Sequence, residues 1–313
     1  MNTAKGNSAT GSTALATRAP NERRAVLLAL ATALMWSTVA TAFKLALVQL
    51  SPAQLLLGGH LVGVLVLLVA VARRHGLRAI TRKLLVHALP LGLLNPVLYY
   101  AVLFAAYDRL PAQIAQPLNC TWSIVLALLA VPMLGQPLSA RALLALALSY
   151  LGVLITVTDG QFSLQTAYDG TGIALALGST LIWATYWLLT ARDTRPPELL
   201  LCGGMLAALP FSLAYCVLTD GLPAPSWPLL FGSLWVGCFE LGFAFLTWLA
   251  ALRLTQSAAR MSQLALFSPL LSPLWIYLVL QEPLHWASMV GLLLIVIGAV
   301  LVPRPQQPPQ TTA

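Results

Sequence analysis

Ten runs of apolar residues, each close to the length of a bilayer crossing, follow one another along this chain with little polar sequence between them. They fall at 26–47, 52–72, 84–107, 111–133, 140–158, 171–191, 198–218, 228–252, 256–279 and 285–302. A helix crossing the hydrocarbon core needs about 20 apolar residues, and a helix satisfies its own backbone hydrogen bonds where no water is available. The expected fold class is an all-α integral membrane protein of ten transmembrane helices. Composition supports it. Hydrophobic residues make up 59% of the 313 and charged residues 8%, with mean hydropathy +0.83. Soluble domains average about 45–50% apolar and 25% charged, so a soluble globule, a disordered chain and a disulfide scaffold are all excluded.

The charges orient the spans. With the N-terminus inside, Lys5, Arg18, Arg23, Arg24, Arg73, Arg74, Arg78, Arg82, Lys83, Arg141, Arg192, Arg195, Arg253, Arg260 and Arg304 all face the cytoplasm. Of the 17 Lys and Arg residues, only Arg109 is then outside, and Lys44 lies within the first span. The positive-inside rule therefore predicts N-in/C-in. The formal net charge of +8 is spread over short loops, which fits membrane topology rather than nucleic acid. Residues 1–23 and 303–313 read as disordered cytoplasmic tails, the first of them not a cleaved signal peptide. Cys120, Cys202, Cys216 and Cys238 sit in apolar runs without zinc or CxxC spacing and are expected as buried free thiols.

The two halves repeat. Leu34-Met35-Trp36-Ser37-Thr38 aligns with Leu181-Ile182-Trp183-Ala184-Thr185. Leu55 to Gly59 recurs as Leu199 to Gly204, and Gln136-Pro137-Leu138 as Glu282-Pro283-Leu284, at a nearly constant offset. This predicts two five-helix units, 24–158 and 170–302. Five is odd, so the second unit enters the membrane upside down, an arrangement that marks secondary transporters with a midplane site between the repeats.

Residues 24–302 resemble the drug/metabolite transporter superfamily, in its ten-helix branch of paired EamA domains. Leu134-Gly135-Gln136-Pro137-Leu138 and Leu280-Gln281-Glu282-Pro283-Leu284, each followed by a Gly-containing helix, carry the resemblance. A narrower likeness is to exporters of aromatic amino acids. It rests on Trp36-Ser37-Thr38 with Lys44, on Asn119 with Trp122, and on Trp183-Ala184-Thr185-Tyr186. The resemblance implies a basket of helices around a central cavity and export of small metabolites across the inner membrane. Two positions depart from it: His60, where many relatives have Arg, and Glu240, an acid that the aromatic exporters lack.

Polar groups at bilayer depth face the bundle interior or a wet cavity. Glu240 sits midway along 228–252. A carboxyl there suits a proton-coupling site or a partner for a substrate ammonium; the blander alternative is a hydrogen-bonded packing residue. Lys44, about 27 Å along the first helix, either snorkels to the outer headgroups or meets a substrate carboxylate. A direct Lys44–Glu240 pair is not expected, because Glu240 lies about 10 Å deeper. Gln113, Gln116, Cys120 and Ser123 share one face of the fourth span, flanked by Asn119 and Trp122. Gln256, Arg260, Gln263 and Phe267 share one face of the ninth. Matched polar stripes on counterpart helices read as cavity walls; simple interhelical bonding would be worth about 0.6 kcal/mol per pair. Trp36, Trp122 and Trp183 lie near mid-helix, away from the interfacial belt, and a buried indole N–H needs an acceptor. Tyr99 and Tyr186 join them as candidates. Gly58-Gly59 and Gly203-Gly204 are expected at close helix contacts.

There is no HExxH, P-loop, GxSxG or catalytic carboxylate pair, so neither an enzyme nor a cofactor or metal is expected. The reading is a monomeric secondary transporter whose partners are the bilayer, a small-molecule substrate and protons. Export of an amino acid, the aromatic class included, leads; uptake of another metabolite, or a non-transporting sensor or scaffold, are the alternatives.

Overall fold

The computed structural model describes residues 21–122, 125, 128, 129, 140–160, 168–191, 193, 195–254, 264 and 267–301. Every extended element among them is helical. We number ten helical segments: α1 Glu22–Leu47, α2 Pro52–Arg74, α3 Arg82–Arg109, α4 Ala112–Cys120, α5 Ala140–Val157, α6 Gly170–Ala191 and α7 Pro197–Thr219. Then α8 runs from Trp227 to Leu254, α9 spans Phe267–Leu280 and α10 Trp286–Leu301. Among the described residues six helices are long and apolar enough to cross a membrane, and α9 and α10 are shorter apolar helices. Gln256, Arg260, Gln263, Ser123 and the Gln136-Pro137-Leu138 motif lie outside the described residues.

Local sequence sets the helix ends. Asn21 accepts the Arg24 N–H to cap α1. Ser51 and Gln54 form a capping box at α2, with Pro52 in the first turn, where its missing N–H costs nothing. Interruptions matter more for function. In α1 the hydroxyls of Ser37 and Thr38 donate back to the Leu34 and Met35 carbonyls, both at 2.7 Å, and the helix breaks at Thr38. Such back-bonding bends helices. Three segments widen to π-helix: Leu93–Leu98 in α3, Val236–Glu240 in α8 and Ile276–Leu280 in α9. Pro90 and Pro96 help open α3, where Asn95 leaves helical geometry at φ −146°, ψ 116°.

The packing obeys an exchange of halves. Helix α1 packs on α8 as α3 packs on α6, and α2 packs on α8 as α3 packs on α7. Likewise α1 meets α9 as α4 meets α6, while α2–α7 and α5–α10 map onto themselves. Replacing each helix by the one five places on therefore maps these major contacts onto one another, whereas the α1–α3 and α4–α10 contacts have no counterpart of comparable size among the described residues. Small residues permit these approaches. Gly58 and Gly59 press on Ser233 and Val236 of α8, and Gly92 lies against the backbone of Gly204. The ladder of buried rings from Phe43 through Tyr100, Phe104 and Tyr107 fills the centre of the bundle.

Candidate functional site

The central group is assembled by α1, α3, α4, α6 and α8. Glu240 ends the π segment of α8, and its Oε1 accepts the Tyr100 O–H at 2.7 Å. The widened turn rotates the carboxyl out of ordinary α register, a distortion found often at functional sites. Tyr100 is fully buried, yet Glu240 keeps part of its surface accessible. The carboxyl thus points into the bundle, toward the buried Tyr100 hydroxyl.

Rings surround it. Tyr99 packs on Tyr100 at 4.8 Å and on Trp183 at 4.5 Å between centroids. Trp183 continues to Tyr186 at 6.0 Å and Phe245 at 6.1 Å, and Phe245 to Trp36 at 6.3 Å. Asn119 accepts the Tyr99 O–H at 3.4 Å and donates to Ser179 Oγ at 3.0 Å, tying α3, α4 and α6 together. The Trp36 indole N–H is buried without a hydrogen-bond partner, an unmet donor costing about 1–3 kcal/mol. A carboxyl beside aromatic faces is chemistry suited to a cation, which aromatic rings also attract.

The other anticipated residues occupy different places. Lys44 Nζ donates to the Tyr107 carbonyl at 2.7 Å. Tyr107 is seven residues beyond Tyr100 on α3, so Lys44 and Glu240 are separated by about 10 Å along that helix. Asp108 and Glu282 are the carboxylates that act electrostatically on Lys44. Gln116 accepts the Tyr107 O–H at 2.5 Å. Gln113 is buried and works on backbone: its amide donates to the Glu282 and Pro283 carbonyls at 3.0 and 2.5 Å and accepts the His285 N–H at 3.3 Å. Glu282 answers by accepting the first N–H groups of α4, from Ala112 and Gln113, at 3.3 and 3.4 Å. The family motif residue Glu282 is thus a helix cap across the two halves. Trp122 packs partly buried against the core, and Phe267 is 48% exposed at the start of α9. A crevice beside the clamp is lined by Gln113, Gln116, Pro273, Ile276, Ser288 and Met289.

His60 is buried and satisfied. Its Nε2–H donates to the Met205 carbonyl at 2.8 Å and its Nδ1 lies 2.7 Å from Ser212 Oγ, stitching α2 to α7. Sequence reasoning did not find Tyr100 as the partner of Glu240, although its hydroxyl-bearing neighbour Tyr99 was in view. Nor did it find that Trp275 and Trp235 donate to Ser37 and Thr38, at 2.9 and 3.1 Å. No cluster of metal-ligating side chains exists among the described residues.

The EamA-like transporter family matches residues 23–158 and again 170–303. The chain belongs to the EamA-like transporter family. It is 29% identical over 314 residues to the inner membrane protein YtfF of Escherichia coli K12, covering 90% of this chain and 96% of that one. It is 27% identical over 222 residues to the protein PecM of Dickeya dadantii, covering 68% of this chain and 71% of that one. A solved crystal structure shares the fold with TM-score 0.64 at 22% identity, covering 90% of this chain and 96% of that chain. The protein is a multi-pass membrane protein of a transporter family, and its substrate is a small molecule.

Proposed function

We propose that this chain is an inner-membrane secondary transporter that exports an amino acid or a closely related amine, with aromatic side chains favoured. It does so from a chamber between two inverted five-helix repeats, ten spans in all, with both termini inside. The observation that carries the reading is the Tyr100–Glu240 pair inside the bundle, beside the Tyr99, Trp183 and Phe245 rings. Glu240 takes the substrate ammonium or a proton, one in place of the other. The rings hold the apolar body, and the unmet Trp36 N–H supplies a donor for a carboxylate. A substrate that binds only the deprotonated carboxyl leaves when a proton replaces it, which couples flux to a pH gradient. Lys44 stands too far away to share the head group of an α-amino acid with Glu240, since that ammonium and carboxyl are attached to one carbon and lie about 1.5 Å from it along each bond.

The pairing of the major contacts between the halves supports alternating access by rocking of one repeat against the other. Purified protein in proteoliposomes, screened against amino acids and aromatic amines with and without a pH gradient, tests the reading. Gradient-dependent flux of one amine-bearing solute is expected. Flux confined to anions or neutral sugars would replace the substrate class, and no flux of any solute would favour a sensor or scaffold.

A further inference from the structure

The segment joining α2 to α3 carries a cluster of cations that the transport site does not use. Within Arg73-Arg74-His75-Gly76-Leu77-Arg78-Ala79-Ile80-Thr81-Arg82-Lys83 there is no acid. Arg73, Arg74, Arg78, Arg82 and Lys83 are all exposed. The nearby carboxylates are already engaged. Glu198 takes Arg74 at 3.5 Å and His75 at 3.3 Å, and Asp193 takes His87 and Arg195. Among the described residues, no carboxylate forms an ion pair with Arg73, Arg78, Arg82 or Lys83. Arg82 and Lys83 also occupy the first turn of α3, where no acid stands and where the helix dipole opposes cations. The cluster is left with uncompensated positive charge.

Its position says what compensates it. Leu65 and Val69 of α2 and Val86 of α3 are exposed aliphatic side chains on the helices that end in this segment. In a membrane protein such a surface faces acyl chains, so the cations stand where the lipid-facing surface ends, at headgroup level. Leu77 is 58% exposed in the short 3-10 turn Leu77–Ala79, between Arg74 and Arg78. An exposed Leu among cations is the composition of an interfacial segment that sinks its apolar side chain below the headgroups. Clusters of Lys and Arg beside a transmembrane helix attract anionic lipids at about 1 kcal/mol per residue. We propose that the 73–83 segment is a binding site for an anionic phospholipid, its phosphate held by Arg73, Arg78, Arg82 and Lys83 and an acyl chain lying along Leu65 and Val69 of α2.

The full chain, reconstituted in phosphatidylcholine containing phosphatidylglycerol and released for native mass spectrometry, tests this. Wild type is expected to retain phosphatidylglycerol over phosphatidylcholine. Arg73→Gln, Arg78→Gln, Arg82→Gln and Lys83→Gln together should cut that preference at least about tenfold. Replacing the three arginines by Lys should preserve it. Should the glutamine variant fail to fold, the wild type decides alone: raising salt to about 1 M, where screening acts within about 3 Å, should strip phosphatidylglycerol and leave phosphatidylcholine unchanged. Equal retention by wild type and the glutamine variant, salt-insensitive retention, or displacement of the lipid by inorganic phosphate at equal concentration would each overturn the proposal.

Discussion

Glu240 is a carboxyl at a depth where an isolated helix would lose about 2.5–3.5 kcal/mol by holding it charged. One strong donor, the Tyr100 hydroxyl, is what the fold supplies to it. Replacing Tyr100 by Phe keeps the ring packing and removes the donor. Substrate affinity in Tyr100→Phe is expected to change by several-fold to about thirtyfold, equivalent to about 1–2 kcal/mol, read by equilibrium binding. Outside the spans, Asp193 holds the start of α7 to α3. Burial pushes its carboxyl up, but the Arg195 backbone N–H, the His87 ring at 2.5 Å and the Arg195 guanidinium outweigh it and hold it below the usual carboxylate range. A depressed folded value gives stability that is present above the unfolded pKa, about 3.9, and is lost as pH falls through the folded value. Thermal stability of the purified protein should therefore drop on acidification below about pH 4, and Asp193→Asn should be less stable at neutral pH and lose that part of the slope. Glu240 stood out in the sequence because an acid in an apolar run is costly. Tyr100 was not, because a residue's partner depends on which faces meet after folding. Gln113 shows the limit from the other side: its spacing revealed a polar face but not that the face would clamp the backbone at Glu282 and Pro283.

Helices in this bundle are shaped where they meet. Gly92 and Gly204 let α3 and α7 touch backbone to backbone, and a Cβ on Gly92 would collide with the Gly204 carbonyl. Gly178, in α6, has open space around it. Gly92→Ala should cost about 1–3 kcal/mol by overpacking, whereas Gly178→Ala should be neutral or gain up to about 1 kcal/mol from helix propensity. Thermal unfolding in detergent separates the two. The glycine pairs could be anticipated, since small residues in apolar helices have few other uses. The π segments could not. A turn of five residues is forced by neighbours rather than by local preference, and no residue type in Val236–Glu240 announces it. The break at Thr38 falls between these cases: Ser37-Thr38 was conspicuous, and its service as an acceptor for Trp275 and Trp235 emerged only from the packing.

At the scale of the molecule, one bundle is built twice over, and the contacts between halves decide how it can move. Helix-by-helix exchange pairs up the major contacts α1–α8 with α3–α6 and α2–α8 with α3–α7, in keeping with the internal repeat in the sequence. The repeat was readable because duplicated motifs keep their spacing. The closure between halves was not, since Gln113 and Glu282 meet across 169 residues of chain. Gln113→Ala removes three hydrogen bonds of that clamp and should lower stability by about 1–3 kcal/mol while leaving the composition of the Glu240 site intact; unfolding and substrate binding on the same sample check both. The central claim is that substrate and proton compete for Glu240. It is met most directly by measuring proton release in weakly buffered solution when the solute identified by the flux screen is added to purified protein. Wild type should release protons in proportion to bound solute, and Glu240→Gln should release none. Binding without release in wild type, or equal release from both proteins, would contradict it.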